Sequence, residues 1–132
     1  MRGPVEVMVL DDEDIVCERL KAHLEKKEYN VETFTDSQTA IDRLGEKRFD
    51  VVITDIKMQG PSGLDVLHFV RRQNPSTQVI IITGYGSIES IREAEYSGAF
   101  EFINKPFTSE AIENLTKKAA AKARKLVPAD ER

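Results

Sequence analysis

Val51-Val52-Ile53-Thr54-Asp55 is the stretch on which the fold turns: branched apolar residues in succession, without alternation, ending on an acid. A strand with one wet face alternates apolar and polar side chains, so an unbroken Val/Ile run implies a parallel sheet covered by helices on both sides. Val79-Ile80-Ile81-Ile82 repeats the pattern further along, and both runs are expected at the centre of the sheet. Working outward, Val5 to Leu10, Val31 to Phe34 and Phe100 to Ile103 are also short and rich in Val, Ile or Phe. Together with Val51 to Thr54 and Val79 to Thr83 they predict five strands.

Helical periodicity fills the gaps. Val16, Leu20 and Leu24 recur every four residues and mark one stripe of a first helix, while Ile41 with Leu44, Leu64 with Leu67 and Ile88 with Ile91 mark three more. Asp36, Ser87 and Thr108 are suitable N-caps, Pro75 follows the third helix, and Gly98 can take the left-handed conformation that ends the fourth. A last helix is expected from about Ser109 to Leu126, stopping before Pro128. Strand and helix alternating five times predict right-handed crossovers and a doubly wound α/β sheet with helices on both faces.

The chain has 132 residues, 40% hydrophobic and 32% charged, which fits one compact soluble domain. No apolar run approaches the roughly 18 residues of a membrane span. A net charge of -4 argues against binding nucleic acid over the whole surface. Cys17 is the single cysteine, which excludes an internal disulfide and suits packing on a helix. Met1-Arg2-Gly3-Pro4 carries no apolar leader, so the cytoplasm is the expected compartment.

In a doubly wound sheet, ligands bind outside the carboxyl ends of the strands, where strand order reverses. That rule selects Asp11 and Asp12 after the first strand, Asp55 after the third, Thr83 and Gly84 after the fourth and Lys105 just past the fifth. Converging carboxylates repel one another unless a cation intervenes. All these candidate ligands are oxygens, with no His or Cys among them, so magnesium is favoured over zinc or copper. His23 and His68 fall on helices away from this edge and are expected to be surface or boundary residues. A metal on carboxylates, with a lysine and a hydroxyl, can neutralise a phosphoryl group in transfer, and Asp55 is the natural nucleophile.

With those residues in hand, the chain resembles the receiver domains of two-component response regulators over residues 5 to 118. The motifs are Val9-Leu10-Asp11-Asp12-Glu13, Val52-Ile53-Thr54-Asp55-Ile56-Lys57-Met58, Gly63-Leu64, Ile82-Thr83-Gly84 and Gly98-Ala99-Phe100-Glu101-Phe102-Ile103-Asn104-Lys105-Pro106-Phe107. The resemblance implies a flavodoxin-like strand order 2-1-3-4-5 and a phosphoacceptor that catalyses its own phosphorylation and dephosphorylation without being an enzyme in the usual sense. It implies magnesium on Asp12 directly, on Asp11 through water, on Asp55 and on the carbonyl of Lys57. It further implies that Asp55 takes a phosphoryl group from a sensor histidine kinase, that Thr83 and Lys105 bind its oxygens, and that Lys105-Pro106 is cis. Thr83 and Phe102 would form a switch that rearranges the face of the fourth helix, fifth strand and fifth helix, to control transcription through an attached or partner output domain. Residues 1–120 would be the receiver and 121–132 a helix extension and linker start. Thr83-Gly84-Tyr85-Gly86-Ser87-Ile88-Glu89 and Phe107 also resemble receivers of nitrogen-regulatory activators that work with an ATPase domain and the alternative sigma factor.

Some positions depart from the family pattern. Met58 is followed by Gln59-Gly60-Pro61-Ser62-Gly63, with the usual proline two places later, which is expected to alter stiffness near the metal. Phe102 stands where many relatives carry tyrosine, and Lys57 and Tyr85 occupy positions that tune dephosphorylation in the family. Ile112, Leu115, Ala119 and Leu126 lie along one stripe of the last helix, as a homodimer seam or linker or as part of a solvated end; dimerisation through the switch face is the other option. Three rival readings remain. A degenerate receiver would only dock. A phosphohydrolase of the haloacid-dehalogenase type would use Asp12 as nucleophile within Asp12-Glu13-Asp14-Ile15-Val16. The basic tail from Lys117 to Lys125 would be the part to touch DNA, if any of this chain does.

Overall fold

The computed structural model describes residues 3–84 and 88–127. Ten elements alternate: β1 (Glu6–Leu10), α1 (Asp14–Glu25), β2 (Asn30–Phe34), α2 (Ser37–Glu46), β3 (Val51–Asp55), α3 (Gly63–Gln73), β4 (Gln78–Thr83), α4 (Ile88–Tyr96), β5 (Glu101–Asn104) and α5 (Ser109–Leu126). The strands form one parallel sheet in the order β2-β1-β3-β4-β5. The expected strands are all present, shifted at their ends by a residue. Every residue of β3 and β4 is buried, as their unbroken apolar runs require.

Side chains alternate between two cores because successive residues of a strand point to opposite faces. Val7 and Val9 of β1 join Ile53, Ile80 and Ile82 beneath α1 and α5, where Cys17, Leu20, Leu24, Ile112, Ala119 and Ala120 close the layer. Met8 and Leu10 join Val52, Val79 and Ile81 on the other face beneath Leu44 of α2, Val66, Leu67 and Val70 of α3 and Ala94 of α4. Val16 lies at the edge of its stripe, half-buried against the first core, and Cys17 takes the buried place beside it.

Local chemistry sets the helix ends. Asp36 and Thr108 cap α2 and α5 by accepting from the backbone N–H of Thr39 and Ala111. The third helix starts with a capping box in which Ser62 and Asp65 satisfy each other's backbone donors. Gly98 ends α4 at φ +92. The N-cap expected at Ser87, and Tyr85, Ile88's side chain and Pro128, lie outside the described residues.

The stripe expected along α5 is divided. Ile112 and Ala119 are fully buried and Leu115 packs against the same core, whereas Leu126 is 52% exposed. Burial instead follows Ile112, Thr116, Ala119, Ala120, Ala123 and Val127, the 3.6-residue period of a helix lying on the sheet. Near its end Arg124 donates to the carbonyls of Gly3 and Pro4 and to Asp50 Oδ2, at 2.9, 2.8 and 3.1 Å. Asp50, only 3% exposed, also accepts from Glu6 N–H at 2.9 Å.

Candidate phosphoacceptor and metal site

The sheet order reverses between β1 and β3, since β2 lies on one side of β1 and the rest of the sheet on the other. Leu10 pairs with Thr54, Asp55 with Ile82 and Thr83 with Asn104. One residue past these pairs, parallel register brings Asp11, Asp55, Thr83 and Lys105 to the same edge, although they lie far apart in sequence.

Carboxylate oxygens of Asp11, Asp12 and Asp55 all fall within 4.8 Å of one another. Asp11 is fully buried, Asp55 is 8% exposed and Asp12 faces solvent. Backbone donors orient the two buried acids: Glu13 N–H bonds Asp11 Oδ1 at 2.9 Å and Lys57 N–H bonds Asp55 Oδ1 at 3.0 Å. Lys105 Nζ donates to Asp55 Oδ2 at 2.9 Å. It also lies 3.0 Å from Asp11 Oδ2 and 3.7 Å from Glu13 Oε2. Asp11 Oδ2 meets that ammonium off the hydrogen-bonding direction, as an ion pair.

Burial pushes the Asp11 carboxyl above the ordinary value, and the bond from Glu13 N–H and the nearby Lys105 charge offset this only in part. Burial acts against the Lys105 charge, but Asp55 and Asp11 outweigh it and hold the ammonium well above the usual lysine value. Three acids thus share one lysine and Asp12 stands beside them, leaving the edge with an excess of negative charge and only oxygen donors. That donor set fits a hard divalent cation.

Thr83 is 2% exposed, and its Oγ1 has no hydrogen-bond partner among the described residues. An unpaired buried hydroxyl costs free energy. Phe102 is half-buried and packs against the second core. Lys57 is exposed, and Lys105-Pro106 is cis. The loop from β3 to α3 is held close: Gly60 sits at φ +75, Ser37 Oγ donates to Gln59 O at 3.0 Å, and a Cβ on Gly63 would stand 2.3 Å from Asp55 O. Beside the site a groove of about 900 Å³ runs between α1 and the start of α5, lined by Glu13, Val16, Leu20, Lys105 and Phe107.

His23 and His68 are away from this edge, His23 paired with Glu113 at 3.4 Å and His68 bonded to Ser97 at 3.0 Å. Two features of the site escaped the sequence reading. The contact of Glu13 with Lys105 has no local signal, because it joins positions 92 residues apart. The Ser62–Asp65 box beside the site was legible as Ser-x-x-acid before an apolar run.

The family model for the response regulator receiver domain matches residues 7–117. The nitrogen assimilation regulatory protein NtrX of Azorhizobium caulinodans is 30% identical over 86% of the chain and 26% of its own length. The transcriptional regulatory protein ZraR of Salmonella typhimurium is 31% identical over 94% of the chain and 28% of its own length. The chain therefore spans about a quarter of these relatives. Among solved structures, the beryllofluoride-activated NtrC4 receiver domain dimer superposes with a TM-score of 0.84 at 32% identity, covering 89% of this chain and 98% of that one. No helix of the described residues is long and apolar enough to cross a membrane. On its match to the family model and on the strand order, the chain belongs to the response regulator receiver domains.

Proposed function

We propose that this chain is a phosphorylation-dependent switch in which Asp55 accepts a phosphoryl group from a histidine kinase in a magnesium-dependent reaction. The observation that carries it is the gathering of Asp11, Asp12 and Asp55 within 4.8 Å, with Lys105 at 2.9 Å from Asp55 and the Thr83 hydroxyl unpaired among the described residues. A carboxylate oxygen of Asp55 attacks phosphorus, the bond from phosphorus to the donor's histidine nitrogen breaks, and an acyl phosphate remains. Asp11, Asp12, Asp55 and the Lys57 carbonyl would hold the magnesium, which when bound supplies positive charge against the phosphoryl oxygens. Lys105 and Thr83 provide the protein's own donors to those oxygens. The same groups would serve water attack on the acyl phosphate, so the domain promotes both its phosphorylation and its dephosphorylation.

The added group brings roughly -1.5 to -2 charges. Thr83 moves toward it, Phe102 packs into the space released, and the face of α4, β5 and α5 changes. A shift from 1:99 to 99:1 in favour of the active face needs roughly 5.5 kcal/mol, part of which a partner could supply. Residues 121–132 lead toward an output domain that controls transcription, as the names of the relatives suggest, and the active form pairs through this face or α5 in the cytoplasm. The dimeric NtrC4 receiver supports pairing.

Intact mass after incubation with magnesium and a small phosphodonor tests the reading. One labile phosphoryl group is expected, absent in Asp55→Asn and retained in Asp14→Asn. No gain of mass would sink it in favour of a docking domain, and steady phosphate release dependent on Asp12 would favour a phosphohydrolase.

A further inference from the structure

Lys105 touches three carboxylates, and one of them stands apart. Glu13 lies 3.7 Å from Nζ, outside the group of acids close enough to share an ion, and its side chain is 60% exposed where that of Asp11 is fully buried. Glu13 also occupies the N-cap of α1, with extended backbone and no side-chain bond to the helix. Ser, Thr, Asp and Asn serve that position best. A residue that breaks the local preference and directs its charge elsewhere is expected at functional sites.

An ammonium has three protons to donate. Here one is donated to Asp55, while Asp11 and Glu13 lie within ion-pair reach of Nζ at 3.0 and 3.7 Å, so an arriving phosphoryl group must share the ammonium with these carboxylates. With Asp11 and Asp55 drawn to a cation, their hold on Lys105 relaxes. Glu13 lies outside that set and keeps its hold. It also lines, with Lys105, the groove beside the site.

We infer that Glu13 is a positioning residue that acts through Lys105, competing with phosphoryl oxygens for the ammonium and so slowing phosphoryl acceptance at Asp55. The inference rests on the function proposed above.

The test measures the rate of Asp55 phosphorylation against acetyl phosphate concentration in saturating magnesium, and the affinity for beryllofluoride, a stable mimic of the bound phosphoryl group. Glu13→Gln is expected to raise the rate at subsaturating donor about 2- to 5-fold, the size a partly exposed ion pair carries, and to tighten beryllofluoride by a similar factor. Glu13→Asp keeps the charge but falls one methylene short, so it should behave like Glu13→Gln. In a Lys105→Ala background both gains should vanish. An unchanged or slower Glu13→Gln overturns the inference, as does a gain that survives without Lys105 or a Glu13→Asp protein that matches wild type. A wild-type chain that takes no phosphoryl group overturns the proposed function as well, which separates the two failures.

Discussion

In the proposed switch, Thr83 would couple the stability of the resting domain to its ability to respond. Its hydroxyl is buried without a partner among the described residues, so replacing it by an isosteric methyl should relieve a desolvation cost rather than create one. Thr83→Val is expected to unfold at higher denaturant, by about 1 kcal/mol, while its affinity for beryllofluoride falls. Urea unfolding and beryllofluoride titration check the two halves. The positions of Asp11, Asp12, Asp55, Thr83 and Lys105 were legible in the sequence because each follows a recognisable strand. Lys105's contact with Glu13 and Arg124's with Asp50 were not, since each joins positions far apart in sequence with no local signal.

At the scale of elements, the close seating of α3 on the end of β3 depends on Gly63. A methyl there would overlap Asp55 O and Ile56 Cα at 2.3 and 2.8 Å, and backbone atoms cannot step aside as a side chain would. Gly63→Ala should cost about 2–3 kcal/mol or more, read as a lower unfolding midpoint, and should slow phosphoryl acceptance by displacing Asp55. The edge strand β2 is tied differently. Glu32 takes bonds from Arg43 at 2.9 Å and Lys47 at 2.8 Å, which hold its carboxyl down to about 2 against the usual 4.5. A depressed carboxylate contributes stability that is present above its unfolded value and lost as pH falls through its folded one. Stability should therefore decline between pH 4.5 and 2, and Glu32→Gln should flatten that slope in unfolding curves taken at stepped pH. The elements themselves were legible from periodicity, down to the span of α5. Its buried stripe was missed because Thr116, Ala120 and Ala123 carry little hydrophobic signal, yet their small size is what lets the helix lie close to the sheet.

For the whole molecule, the acidic edge is a store of unfavourable charge that a cation should relieve. Magnesium bound only by the folded chain stabilises it by about 2.7 kcal/mol at 100 times its dissociation constant. The thermal midpoint should rise with magnesium concentration, fall again with chelator, and respond far less in Asp12→Asn. The other end of the sheet is closed by Arg124, which gathers the carbonyls of Gly3 and Pro4 with Asp50. Asp50 and Asp55 bracket one strand, so this clasp stands about 17 Å from Asp55. Residues 3 and 127 consequently share the floor of the domain, and a fluorophore or fusion partner joined at either one leaves the opposite rim open to an approaching donor.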